Sequence, residues 1–204
     1  TSATGLTEGT YSFWLTATDS QGAVNADQII VIVNAASGGG GGGTSTINGL
    51  VTRYTFDTSD IQWGSTTSEI RDTAGSAHGD SVGLSSANAV TGKIGQALNF
   101  GNNQYVASSS AANFLSPSTS FTVSSWINTP TPAGNKTVFG KATANEREVH
   151  LLLNSSGSVS SFVGGANNTA TAVLSANQWI HLVLVNDTSS GLSHIYTNGA
   201  LTKS

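Results

Sequence analysis

Short runs in which apolar and polar residues alternate, each closed by a turn rich in glycine, asparagine or serine, recur along this chain. Tyr11, Phe13, Leu15 and Ala17 alternate with Ser12, Trp14, Thr16 and Thr18. Phe121, Val123 and Ser125 alternate with Thr122, Ser124 and Trp126. A period of two sends successive side chains to opposite faces of an extended backbone, which suits a strand and not a helix. Leu50, Thr52, Tyr54 and Phe56 read as one face of a strand ending at Asp57, and residues 149–153, 158–163, 179–185 and 194–197 as further strands. The turns between them carry Asn154-Ser155-Ser156-Gly157 and Asn198-Gly199, the latter a strong hairpin signal. Many short strands with regular turn signals predict a sandwich or jelly roll.

Charge and residue usage remove several functions. Only 9% of the 204 residues are charged and the net charge is −4, which argues against a nucleic-acid partner. The most apolar stretch, residues 29–33, has the length of a strand, so no membrane span is expected. Cysteine is absent, which excludes disulfides, thiolate metal sites and cysteine nucleophiles. Methionine is also absent and the chain opens on Thr1 without a signal-peptide pattern, so it reads as an internal piece of a longer protein.

Residues 10–33 form a predicted hairpin with turn chemistry at Asp19-Ser20-Gln21-Gly22. Two strands alone are marginal in water, so this segment reads as the end of a domain beginning upstream. Glycines 38–43 make a flexible linker, for which a dozen such residues would span about 19 Å. No Gly-Lys-Ser/Thr and no helical pattern follow them, so a phosphate loop is excluded. The expected boundaries are a partial sandwich over 1–36, a linker over 37–46 and a second domain over 47–204. Residues 95–100 and 104–107 read as strands joined by a tight turn at Gly101-Asn102-Asn103.

Two resemblances sharpen this reading. GTYSFWLTATDSQGAVNADQIIVIV resembles the final hairpin of bacterial PKD-type or cadherin-like β-sandwich modules, which usually act as spacers in secreted proteins. INGLVTRYTFD, IRDTAGSAHGD, VTGKIGQALNFGNNQYV, SFTVSSWIN, NQWIHLVLVND and HIYTNGALTKS resemble, in order and spacing, the LamG-like jelly roll of concanavalin A-like lectin/glucanase domains. The implied fold class is all-β: an antiparallel β-sandwich jelly roll of concanavalin A-like type, preceded by a partial Ig-like β-sandwich fragment. In that family more strands follow the Asn-Gly turn, so the domain is expected to be C-terminally truncated, with an open edge. The resemblance also implies burial of Trp126 and Trp179.

The concanavalin A-like resemblance also frames the chemistry. Glucanases of this fold carry Glu, Asp and Glu at alternating positions of one strand. The nearest counterpart is Glu146 and Glu148, but His150 holds the third position, so no catalytic residue is assigned. No Gly-x-Ser-x-Gly elbow is present. His78, His150, His181 and His194 form no ligand pair, and the last three read as structural strand residues. The resemblance implies a Ca2+ ion near the sheet rim, for which Asp57, Asp72, Asp80, Asn102 and Asn103 offer hard oxygens, while turn capping is the alternative for Asp72. For carbohydrate recognition, Trp63 is the expected exposed ring, with Asn145, Asn167 and Asn168 as loop amides. The expected function is a non-catalytic module of a secreted bacterial protein that binds a glycan or a cell-surface or matrix protein. The alternatives are a glycoside hydrolase or polysaccharide lyase domain and a structural adhesin repeat.

Overall fold

The computed structural model describes residues 9–18, 24–33, 49–108, 115–142 and 147–203. The chain divides into two compact units, Thr1–Gly43 and Thr44–Ser204. In the first, β1 (Gly9–Thr18) and β2 (Val24–Val33) pair antiparallel in unbroken register, from Gly9 opposite Val33 to Thr18 opposite Val24. This is the hairpin expected from the alternation. Its turn at 19–22 and the linker at 38–43 lie outside the described residues.

The second unit holds short β-ribbons and a sandwich. The ribbons pair β3 (Asp80–Val82) with β6 (Tyr105–Ala107), and β4 (Ala89–Thr91) with β5 (Gln96–Leu98). The sandwich is made of two four-stranded antiparallel sheets. One runs β11 (Ala166–Val173), β10 (Ser158–Val163), β9 (Arg147–Leu153), β8 (Lys136–Ala142). The other runs β14 (Ala200–Lys203), β13 (Leu192–Thr197), β12 (Ile180–Asp187), β7 (Phe121–Ile127). Outside these strands the described residues form 3-10 turns at Thr58–Asp60 and Ser86–Asn88 and isolated antiparallel bridges of Ile70 with Ile61 and Gly79. The fold is all-β, as expected.

Alternation builds the core. Ile180, Leu182 and Leu184 of β12 are buried, with Val149, Leu151 and Leu153 of β9 and Val159 and Val163 of β10 in the same cluster. Full burial of one such side chain is worth about 2 kcal/mol. A separate small core gathers Ile61, Ile70 and Leu98, with Tyr54, Phe56, Trp63, Leu84 and Val106 packed against it. Polar side chains join the sandwich at one end. Buried Asn186 donates through Nδ2 to the carbonyls of Pro117 and Thr119 at 3.2 and 2.7 Å, and accepts from Ser193 Oγ at 3.1 Å. Asn168 Nδ2 donates to the Ser193 carbonyl at 3.5 Å.

Three expectations need correction. Residues 50–57 are not a strand. The Arg53 amide bonds the Asp72 carboxylate in place of a strand neighbour, and Phe56 takes a positive φ of 60° that breaks the extension. Residues 96–98 and 105–107 are strands but not one hairpin, because each pairs elsewhere. The turn between them does form: Asn103 has φ 60°, and the Gln104 side chain accepts from the Gly101 amide at 2.5 Å and donates to the Gly83 carbonyl. Asn167 and Asn168 are not loop amides. They sit in edge strand β11, opposite Phe162 and Ser161.

Candidate functional site

The strongest cluster of exposed chemistry lies on the outer face of the β14-β13-β12-β7 sheet. In β7, Phe121, Val123 and Ile127 share the more buried parity, while Thr122, Ser124 and Trp126 are exposed. In β12 Ile180, Leu182, Leu184 and Asn186 are buried, so His181, Val183 and Val185 face outward. Register sets His181 opposite Trp126, and a second row of Ser124, Val183, Tyr196 and Leu201 beside them. Trp126 is 38% exposed and Leu201 53%.

The Trp126 ring is held by its neighbours. Its centroid lies 5.0 Å from the His181 ring, tilted by 31°. His181 Nε2 lies 2.7 Å from Ser124 Oγ, a diagonal cross-strand pair. The His181 backbone is fixed in turn by Asn198, whose Oδ1 accepts from the His181 amide at 2.9 Å while its own amide donates to the His181 carbonyl at 2.8 Å. Asn198 and Gly199 both take positive φ in this hairpin turn, 49° and 82°, as an Asn-Gly turn requires.

From the β4–β5 ribbon, Lys93 places Nζ 5.5 Å from the Trp126 ring centroid. The turn that presents Lys93 is tightly built. The Gly92 amide donates to the Gly95 carbonyl at 3.0 Å, and Asp57 Oδ1 accepts from the Gln96 amide at 2.8 Å. Gly95 has φ 57°, and a Cβ there would collide with the Asp57 carboxylate. Further along the sheet, Ser120, Phe121, Thr122, Val185, Asn186 and Asp187 line a shallow groove of about 290 Å³.

Of the residues expected to bind sugar, Trp63 is half-buried against Ile61, Ile70 and Leu98, with its indole N–H shielded and unpartnered. The expectation that Trp63 is the exposed ring and Trp126 a buried one is therefore reversed. Trp179 is half-buried. Asn145 lies outside the described residues, as does Glu146. Asn167 is exposed on β11, whereas Asn168 reaches Ser193. The Lys93–Trp126–His181–Ser124 group was not assembled from the sequence. A local signal for part of it existed, because Trp126 shares its parity with the polar Thr122 and Ser124.

The expected calcium donors are spread over separate hydrogen-bond networks. Asp72 is 3% exposed, and its carboxylate accepts from Thr52 Oγ1 at 2.7 Å and from the amides of Arg53, Ala74, Gly75 and Ala77 at 2.9–3.0 Å. Burial by itself raises its pKa, but the hydrogen bonds from Thr52, Arg53, Ala74 and Gly75 outweigh it and lower the value to about 2. Asp57 is committed to the Lys93 turn, and Asp80 Oδ1 accepts from the Ser68 amide. Asn102 is exposed, and Asn103 supplies the positive φ of its turn. Among the described residues, no three His, Cys, Asp or Glu side chains gather where they could hold a metal ion. Glu148, the described member of the candidate acid pair, forms an ion pair with Lys141 at 2.7 Å.

Two four-stranded antiparallel sheets enclosing an apolar core define a β-sandwich protein. Residues 100–204 match the laminin G type 3 family of the concanavalin A-like lectin/glucanases superfamily, and the chain belongs to it. Among curated proteins, none matches the chain. Laminin G-like domains commonly bind glycans or proteins and are typically extracellular, and the superfamily also includes enzymes. Among the described residues, no helix is long and apolar enough to cross a membrane.

Proposed function

We propose that this unit is a non-catalytic carbohydrate-binding module of a secreted multidomain protein, carried after a spacer domain. It holds a polysaccharide on the outer face of the β14-β13-β12-β7 sheet. The observation that carries this reading is Trp126, a large ring left 38% exposed beside an imidazole, a hydroxyl and an ammonium. Aromatic rings pack on the C–H faces of sugars, and adjacent polar groups fix orientation. From Trp126 to Thr122 the face runs about 13 Å along β7 before it meets the groove, which suits a chain-like ligand. His150 stands where glucanases of this fold carry the third acid of their alternating triplet, which favours binding over hydrolysis.

Affinity electrophoresis of the full chain through gels containing a polysaccharide panel tests the proposal. At least one polysaccharide should retard the protein, and Trp126→Ala should abolish the retardation while its far-UV circular dichroism shows the chain still folded. Equal retardation of wild type and Trp126→Ala would refute the platform. Release of reducing ends from the same panel would make the domain a hydrolase or lyase.

A further inference from the structure

Resting on the platform reading, we infer that the saccharide bound at Trp126 is anionic, with Lys93 as the residue that selects its carboxylate or sulfate. Among the described residues the ion pair found joins Lys141 to Glu148, so Lys93 reaches no carboxylate there. Its ammonium rests over the indole, the surface a sugar would cover. A cation held over an aromatic ring by that contact alone keeps most of its hydrogen-bonding capacity.

The presentation of Lys93 is preorganised. Its turn is closed by the Gly92–Gly95 backbone bond and backed by Asp57, which accepts from the Gln96 amide. Gln96 Oε1 accepts from the Thr58 amide at 2.6 Å, tying the ribbon to the neighbouring 3-10 turn. A sugar packed on Trp126 brings its exocyclic substituents next to Nζ, which can leave the ring and donate to an acidic oxygen. A neutral sugar displaces the ammonium from the indole and offers no charge in return. The acid on the outer parity of β12, Asp187, is six residues from His181, about 20 Å away along the strand, and its carboxylate accepts from Ser189 and Ser190. The net charge of −4 opposes indiscriminate adhesion to polyanions, so retardation by one reports a local site.

The test is affinity electrophoresis of the full chain with dextran, dextran sulfate and polygalacturonate, using wild type, Lys93→Gln and Trp126→Ala. Dextran sulfate or polygalacturonate should retard wild type at least about tenfold more strongly than dextran, as a charged hydrogen bond allows. Whichever does so identifies the anion. Lys93→Gln should weaken that binding roughly three- to tenfold and remove most of its salt dependence. Equal retardation by dextran and the polyanions, no retardation by either polyanion, or wild-type behaviour of Lys93→Gln would overturn the inference. If Lys93→Gln behaves as wild type while Trp126→Ala loses binding, the platform survives and the charge selection falls. If Trp126→Ala retains full binding, the platform itself falls.

Discussion

Replacing Asp72 isolates one carboxylate that organises a whole loop. In Asp72→Ala the hydroxyl of Thr52 and the amides of Arg53, Ala74, Gly75 and Ala77 lose their common acceptor. The Ala77 bond is buried, so its donor has no access to water in exchange. Leaving such donors unsatisfied should cost about 3–5 kcal/mol in urea denaturation at neutral pH. Asp72→Asn keeps the shape and removes the titration. In the folded chain the acid is lowered from 3.8 to about 2, which corresponds to about 2 kcal/mol of pH-linked stability. Because the folded value is the lower one, this contribution is complete above about pH 4 and disappears as the pH falls towards 2. The stability gap between wild type and Asp72→Asn should therefore shrink by about 2 kcal/mol between pH 5 and pH 2. Tryptophan fluorescence during urea titration at constant ionic strength measures it. A gap that stays constant or widens as the pH falls would refute the argument.

Other perturbations read different parts of the fold. Ser161 is 1% exposed and its hydroxyl has no partner, so Ser161→Ala should be neutral or stabilising by up to about 1 kcal/mol in the same denaturation assay. Asn186→Ala strands the carbonyls of Pro117 and Thr119 and should lose about 2–3 kcal/mol. Gly199→Val forces a β-branched residue to φ 82° and should cost about 1–3 kcal/mol, read as a lower thermal midpoint. Chelator and added calcium should leave the thermal midpoint of the full chain unchanged; a rise with calcium would restore the metal reading of Asp57, Asp72, Asp80, Asn102 and Asn103.

Local pattern carried much of the sandwich. Residues 158–163 form a strand with the expected bounds, and Asn198-Gly199 closes the expected hairpin, because turn chemistry and alternation are short-range. The pairing of 96–98 and 105–107 was not legible, since strand partners are chosen over distances that alternation does not encode. Strand β11 was missed because Asn167, Asn168 and Thr169 are loop-like in composition, yet the edge position tolerates them. The exposures of Trp63 and Trp126 were inverted for a related reason. Parity assigns a residue to a face, but which face stays uncovered depends on packing. Lys93 joins the site across the fold, so nothing near it in the chain announces Trp126.

The two hydrophobic centres of the Thr44–Ser204 unit draw on separate stretches of chain, Tyr54 to Val106 for the smaller and Leu115 to Ile195 for the larger. If each centre is the interior of its own lobe, amide exchange should resolve the two as distinct cooperative blocks. Lys93 belongs to the first lobe and Trp126 to the second. A sugar gripped by both residues would act as a brace between the lobes, so that occupancy would be felt as slower opening far from the bound ring.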